Sequence, residues 1–245
     1  MVRPPGAACK EADRNISISL FFPCYDEQDN IVRVVEQALK VADAMELDYE
    51  LILVNDGSSD NTGPLADQLA RDHEHVRVIH HPQNAGYGAA LQSGFAAAQK
   101  EWVFYTDGDG QFDLAELPPL LDLISDCDIV SCYRLNRQDP LLRRFNGWCW
   151  TQLVCCVFGL RLHDIDCAFK LYRRKLFDEI SLCSTGALID AEILARASRK
   201  GYRIKQRGVH HYPRTAGEQT GANWRVVLRA FKELFQLRKR IMRGD

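Results

Sequence analysis

Five short apolar runs, each followed by a helical pattern, fill the first half of the chain, and this alternation restricts the fold more than any other feature. The runs are residues 16–22 (ISISLFF), 49–55 (YELILVN), 76–80, 102–106 (WVFYT) and 127–132. The second is nearly unbroken in apolar character, as a strand buried on both faces of a parallel sheet must be. After the first, Ile31, Val34, Val35, Ala38, Leu39 and Ala42 recur at helical spacing. The spacing further predicts a helix that residues 82–90 open and that runs to about 99, helices over 114–124, 148–160, 189–200 and 223–243, and later strands up to residue 172 and over 202–207. Strand and helix in alternation predict an α/β domain, a mostly parallel sheet flanked by helices. At 245 residues the chain has core enough for one such domain without staples.

Bulk composition excludes several classes. The net charge of −2 carries no global signature of nucleic-acid binding. Nine cysteines sit among apolar neighbours, and none forms C-x-x-C. That pattern indicates reduced, buried thiols in a cytosolic setting rather than a disulfide framework. The first residues contain no apolar h-region of a secretory signal, and residues 1–14 are expected to be a frayed tail. The longest apolar stretch, 148–160, is too short to span a bilayer, which needs about 20 residues.

Chemistry-bearing residues collect where the strands end. After the fourth run comes T-D-G-D-G-Q-F-D, with Asp107 and Asp109 two positions apart and Gly108 and Gly110 between and after them. Glycine lets the backbone bend so that both carboxylates reach one hard cation, which keeps open positions for phosphate oxygens. The expectation is that Asp107 and Asp109 hold Mg²⁺ or Mn²⁺ and that the ion holds a nucleotide diphosphate. Taken alone, the same turn also reads as an acidic surface turn. The first run stops at Pro23 and leads into Tyr25 and Glu27, a ring able to cover a base and a carboxylate able to accept from one. Asp56 ends the second run, where it can pair with ring N–H groups of a nucleobase or form an Asx-turn. Gly86-x-Gly88 opens a helix and permits close backbone approach to an anion. His80 and His81 have no metal-like spacing and read as ordinary.

The second half is different in character. Arg134, Arg137, Arg143 and Arg144 crowd what reads as a loop, and the arginine fork matches phosphate oxygens. The apolar helix at 148–160 belongs either to the core or against lipid. Asp190 and Glu192 lie near the start of the helix expected at 189–200. Residues 210–221 form a polar, glycine-containing loop, a candidate lid. The final stretch, 222–245, reads as a basic amphipathic helix, suited to an anionic membrane surface or to packing on its own domain.

Taken together, residues 16–221 resemble the family 2 glycosyltransferases of the GT-A fold, most of all the polyprenyl-phosphate (dolichol-phosphate mannose synthase-like) branch. Pro23-x-Tyr25-Asp26-Glu27 is similar to the opening nucleotide motif, with Asp26 where asparagine is common. Asn55-Asp56-Gly57-Ser58-x-Asp60-x-Thr62 is similar to the base- and ribose-contacting motif, and Asn84-x-Gly86-x-Gly88 to the third. Asp107-Gly108-Asp109-Gly110-Gln111 matches D-x-D-x-Q, so the resemblance adds Gln111 to the metal ligands. Tyr133-Arg134 and Arg143-Arg144 fall where the branch keeps phosphate-binding arginines. Asp164-x-x-Cys167-Ala168-Phe169-Lys170 matches the acceptor-side motif, with Ala168 for the usual glycine. Arg214-x-x-Gly217-x-x-Thr220 resembles R-x-x-G-x-S, with threonine for serine and one extra residue.

The resemblance implies a catalytic domain at 15–221 followed by a C-terminal helix, and inverting transfer of mannose or glucose from a GDP- or UDP-sugar to a polyprenyl phosphate at the cytoplasmic face of a membrane. Many members carry transmembrane helices after the catalytic domain, and this chain is expected among those that attach peripherally. Asp107, Asp109, Arg134, Arg144, Asp164 and Arg214 carry the reaction in this reading, and Arg143, Asp190, Glu192 and Thr220 assist with the acceptor. A sugar-hydroxyl acceptor would instead require a carboxylate base, from Asp164, Asp166 or Asp190. A catalytically silent nucleotide-sugar-binding protein is the alternative of another class; the intact Asp107, Asp109 and Gln111 argue against it.

Overall fold

The computed structural model describes residues 16–137, 140–213 and 224–243. Seven strands form one sheet: β1 (Ser17–Cys24), β2 (Asp48–Asn55), β3 (Val76–His80), β4 (Trp102–Thr106), β5 (Ile129–Leu135), β6 (Phe169–Arg173) and β7 (Ile204–His210). Their order is β3-β2-β1-β4-β6-β5-β7. β6 runs antiparallel to both neighbours, and the other pairings are parallel. This is the expected mostly parallel α/β sheet. β1 lies between β2 and β4, so the connections from β1 and β4 leave in opposite directions and open a crevice at their C-terminal ends.

The helices are α1 (Ile31–Ala44), α2 (Thr62–Asp72), α3 (Tyr87–Ala97), α4 (Pro118–Leu121), α5 (Leu141–Phe158), α6 (Lys175–Glu179), α7 (Ile189–Arg199) and α8 (Trp224–Arg243). α1 buries Ile31, Val34, Val35, Ala38, Leu39 and Ala42, the stripe its periodicity foretold. Phe21, Phe95, Tyr105 and Tyr172 stack and cross edge-to-face in the middle of the core.

Four expectations are corrected. β1 does not stop before Pro23 but runs through it to Cys24. The Cys24 carbonyl accepts the Asp56 N–H on the β2 side, so Pro23 points the other way, where pairing with β4 has ended at Phe21. The helix expected over 114–124 is a 3₁₀ turn (Leu114–Glu116) capped by Asp113, then the one-turn α4. Pro118 and Pro119 remove two donors and prevent a continuous helix. The arginines expected in one loop are divided: Arg134 lies in β5, Arg137 follows it, and Arg143 and Arg144 sit in the first turn of α5. The last strand, expected at 202–207, is shifted to β7.

α8 packs on the domain. Its Leu234, Leu237 and Ile241 are buried, Trp150 of α5 meets Phe231 edge-on, and Arg238 donates to the Val157 carbonyl. The tail at 1–14, most of the candidate lid with Arg214 and Thr220, and the side chains of Arg225, Arg229 and Lys232 lie outside the described residues.

α3 crosses β1 at Gly94, where an added Cβ would overlap the ring of Phe21. Gly94→Ala would gain about 1 kcal/mol of helix propensity against an overpacking cost of about 1–3 kcal/mol. Phe21 is fully buried and held by Phe95 and Tyr105, so the cost prevails. The variant should unfold at a lower urea midpoint with an unchanged slope.

Candidate active site

The loops after β1 and β2 are laced to each other. Asp26, held at positive φ, accepts from the Ser59 N–H at 2.7 Å, while its own N–H donates to Ser58 Oγ. The Glu27 N–H donates to Thr62 Oγ1 at 2.8 Å, and the Gln28 N–H to Asp60 Oδ2 at 3.1 Å. Glu27 is buried, with Oε2 accepting from Asn30 Nδ2. Tyr25 stands beside it, 46% exposed, so its ring remains available at the lip of the crevice.

Asp56 is 3% exposed, and its carboxylate grips the next loop. Oδ1 accepts from the Ala85 N–H and Oδ2 from the Gly86 N–H, both at 2.9 Å. His81 Nδ1 lies 2.6 Å from Oδ1, and His81 Nε2 lies 2.8 Å from Ser93 Oγ. The histidine read as ordinary is therefore tied to Asp56. Gly57 lies against the backbone of Gln83 and Asn84 with φ +68°, a place no side chain can occupy. Asn84 is exposed on this loop.

The close backbone approach at Gly86 and Gly88, expected for an anion, is made in the structure by the chain's own segment around 184–186. The Gly88 N–H donates to the Thr185 carbonyl at 3.0 Å, and a Cβ on Gly88 would lie 2.6 Å from the Ser184 carbonyl oxygen. Glu192 anchors that segment. Fully buried, it accepts from the Cys183 N–H, the Ser184 N–H at 2.7 Å and Arg196 Nε at 2.9 Å. Through these bonds it holds the segment that packs against Gly86 and Gly88.

Gly108 presses against Cys24 and Pro23, with Cβ-equivalent separations of 2.9 Å to Sγ and 3.2 Å to the Pro23 carbonyl, which brings the acidic turn to the end of β1. Asp109 is buried, and its Oδ1 accepts the Gln111 N–H at 3.0 Å. Asp107 Oδ1 accepts from Tyr87 Oη at 3.0 Å. Burial, then the neighbouring Asp109, push the Asp107 carboxyl up to about 7. Two carboxylates so crowded share a proton or a cation, and hard oxygen donors suit Mg²⁺ or Mn²⁺. Among the described residues no group of three or more His, Cys, Asp or Glu side chains forms a metal cage. Gln111 Nε2 donates to the Tyr212 carbonyl at 3.0 Å, which stitches the segment after β7 beside the acidic turn.

Behind Asp107 lies a buried polar network that the sequence did not announce. Lys170 is fully buried, with Nζ 2.8 Å from Asp190 Oδ1 and 2.5 Å from the Cys167 carbonyl. Tyr105 Oη also donates to Asp190. Burial alone opposes the ammonium charge, but Asp190 holds its pKa above the ordinary lysine value. Asp190 is thus engaged with Lys170, whereas Asp166 is exposed.

On the far side, Arg134 and Asp164 meet as a bidentate pair, Nε–Oδ2 2.6 Å and a terminal nitrogen to Oδ1 2.8 Å. Burial would raise the Asp164 carboxyl, yet Arg134 holds it below the usual carboxylate range. They line a cavity of about 380 Å³ with Arg137, Arg144, Leu141, Phe145 and Trp148. Arg144 joins Arg134 there; Arg143, its neighbour in α5, does not line the cavity. Leu141, Leu142, Phe145 and Trp148 are 79%, 72%, 59% and 56% exposed, an apolar face on the first turns of α5.

The glycosyl transferase family 2 model matches residues 19–181 of this sequence. The chain belongs to glycosyl transferase family 2. Dodecaprenyl-phosphate galacturonate synthase of Rhizobium johnstonii is 28% identical over 239 residues, covering 94% of this chain and 70% of its own length. Undecaprenyl-phosphate 4-deoxy-4-formamido-L-arabinose transferase of Proteus mirabilis is 31% identical over 168 residues, 68% of this chain and about half (52%) of that protein. Glucosyl-3-phosphoglycerate synthase of Mycobacterium tuberculosis bound to UDP superposes with a TM-score of 0.70 at 18% identity, over 97% of this chain and 87% of the other. The same enzyme with Mn²⁺, UDP and glucosyl-3-phosphoglycerate gives 0.65, over 93% and 77%. The family 2 transferase described here therefore has the GT-A fold and is a glycosyltransferase, and its relatives are polyprenyl-phosphate sugar transferases. No helix among the described residues is long and apolar enough to cross a membrane.

Lys170→Met should cost about 3–5 kcal/mol, because it strands the Asp190 charge in the core. Adding Asp190→Leu to it should recover more than half of that loss, read by urea denaturation of both variants.

Proposed function

We propose that this glycosyltransferase moves a hexose from a nucleotide diphosphate sugar to a polyprenyl phosphate, with Mg²⁺ or Mn²⁺ held by Asp107 and Asp109 and completed by Gln111. The observation that carries this reading is the cavity in which Arg134, Arg137 and Arg144 meet the exposed Leu141, Phe145 and Trp148. A cationic end beside an apolar wall suits an anionic head on a hydrocarbon tail. The acceptors named for the two curated relatives support it, and the Mn²⁺ and UDP in the superposed enzyme support the donor side.

When bound, the divalent ion neutralises charge on the departing diphosphate. The chain's own residues do the rest. Asp56, Asn84 and the laced loops at Pro23, Tyr25, Glu27 and Gly57 hold the nucleoside. Arg144 and the Arg134 guanidinium, oriented by Asp164, receive the acceptor phosphate. A phosphate monoester has a second pKa of about 6 and arrives largely ionised, so positioning matters more than a strong base. Arg214 and Thr220 complete the acceptor side. The apolar start of α5, with the exposed Phe235 and Met242 and the basic Arg238, Lys239 and Arg243 of α8, sets the enzyme on the anionic cytoplasmic face of a membrane.

Incubation with labelled UDP- and GDP-sugars, Mn²⁺ and undecaprenyl phosphate should yield an acid-labile glycolipid. Transfer to oligosaccharide hydroxyls with no glycolipid would reject the acceptor. Asp109→Ala should abolish both that product and Mn²⁺-dependent nucleotide binding by calorimetry, with thermal unfolding near that of the parent.

Leu142→Ser combined with Trp148→Ser should weaken flotation with vesicles of phosphatidylglycerol by at least about tenfold. Undiminished flotation would remove α5 from the membrane contact.

A further inference from the structure

In the Ser93–His81–Asp56 chain, the reading above gives Asp56 to the nucleoside but leaves His81 and Ser93 without a task. Asp56 is an acceptor only, with about four lone-pair positions on its two oxygens. Oδ1 takes two donors, the Ala85 N–H and His81 Nδ1. Oδ2 takes one, the Gly86 N–H. One position remains, on Oδ2. The carboxylate cannot rotate to present both oxygens, because His81 is itself held from behind by Ser93 at 2.8 Å. With Nδ1–H donating to the carboxylate, Nε2 is left facing the Ser93 hydroxyl, and the two contacts hold the ring in place. The aspartate and histidine side chains are 5% and 14% exposed, so little water competes with these bonds.

We infer that His81, braced by Ser93, is a specificity-determining residue that leaves Asp56 a single acceptor for the donor's nucleobase and so selects uracil over guanine. The inference rests on the nucleotide-sugar reading proposed above. Uracil offers a carboxylate one donor, N3–H. Guanine offers two side by side, N1–H and the exocyclic amine, and recognises a carboxylate through both. A guanine here would leave one of its donors facing an oxygen already filled by Ala85 and His81, an unpaired polar group in a closed site. His81 touches no substrate; it acts through Asp56.

The test is calorimetric titration of UDP and of GDP, each with Mn²⁺, into the full chain and two variants. The parent should bind UDP at least about tenfold more tightly than GDP. His81→Ala should weaken UDP binding and bring the UDP-to-GDP affinity ratio toward one. His81→Asn, whose amide can donate to Oδ1 in place of Nδ1, should restore most of the ratio. Thermal unfolding monitors folding separately, and a purely structural histidine would lower it without moving the ratio. A parent that prefers GDP, or a His81→Ala variant that keeps the parental ratio, overturns the inference and leaves the glycosyltransferase reading standing. A parent that binds neither nucleotide with Mn²⁺ overturns both.

Discussion

Carboxylates crowd the C-terminal edge of this sheet, and the site exists because nearly every one is matched by donors from a neighbouring loop. Asp26 is met by the 58–60 turn, Asp60 by Gln28 and Thr62, and Asp56 by Ala85, Gly86 and His81. Parallel strands all end on one side, so their loops bring their charges together; without these bonds like charges would push the loops apart. The arrangement makes this half of the crevice a fixed surface. Asp107 and Asp109 differ, since burial and the closeness of Asp109 push the Asp107 carboxyl up to about 7. In the reading proposed above, a divalent ion answers that crowding.

The half around Arg134 follows another logic. There a positive group is matched by one carboxylate, Asp164 on Arg134, while Arg144 stands exposed on a helix that also shows leucine, phenylalanine and tryptophan to the surface. The contrast between the halves suits a reaction joining a hydrophilic, highly charged donor to an amphiphile. The Lys170–Asp190 pair lies in the core between them, connecting the acceptor-side strand β6 to the start of α7.

Much of the sheet was legible because buried parallel strands are written as apolar runs; β2, β3 and β4 sit within a residue of where composition put them. The motifs at their ends were legible for the same reason, since a strand's end is where a carboxylate cannot be core. What stayed hidden were pairings between distant positions. Nothing in the run around His81 points to Asp56 or Ser93, and Glu192 looks like a helix-start charge until the 183–184 backbone is seen folded over it. Periodicity also overran the prolines at 118 and 119, and it missed the start of α5, where arginines interrupt the apolar pattern. Such errors arise wherever tertiary partners, rather than local spacing, decide a residue's environment.

The brace between the 184–186 segment and the first turn of α3 has a consequence for biosynthesis. Gln92 donates to the Ser184 carbonyl across 92 residues of chain, and Glu192, which secures that segment, comes later still. A ribosome will have released β1 to β4 and the acidic turn well before the strut that steadies Gly86 and Gly88 exists. The loop at Gly86 and Gly88 is therefore braced only once residue 192 has been made, and a nascent chain shorter than that carries the signature motifs without the strut.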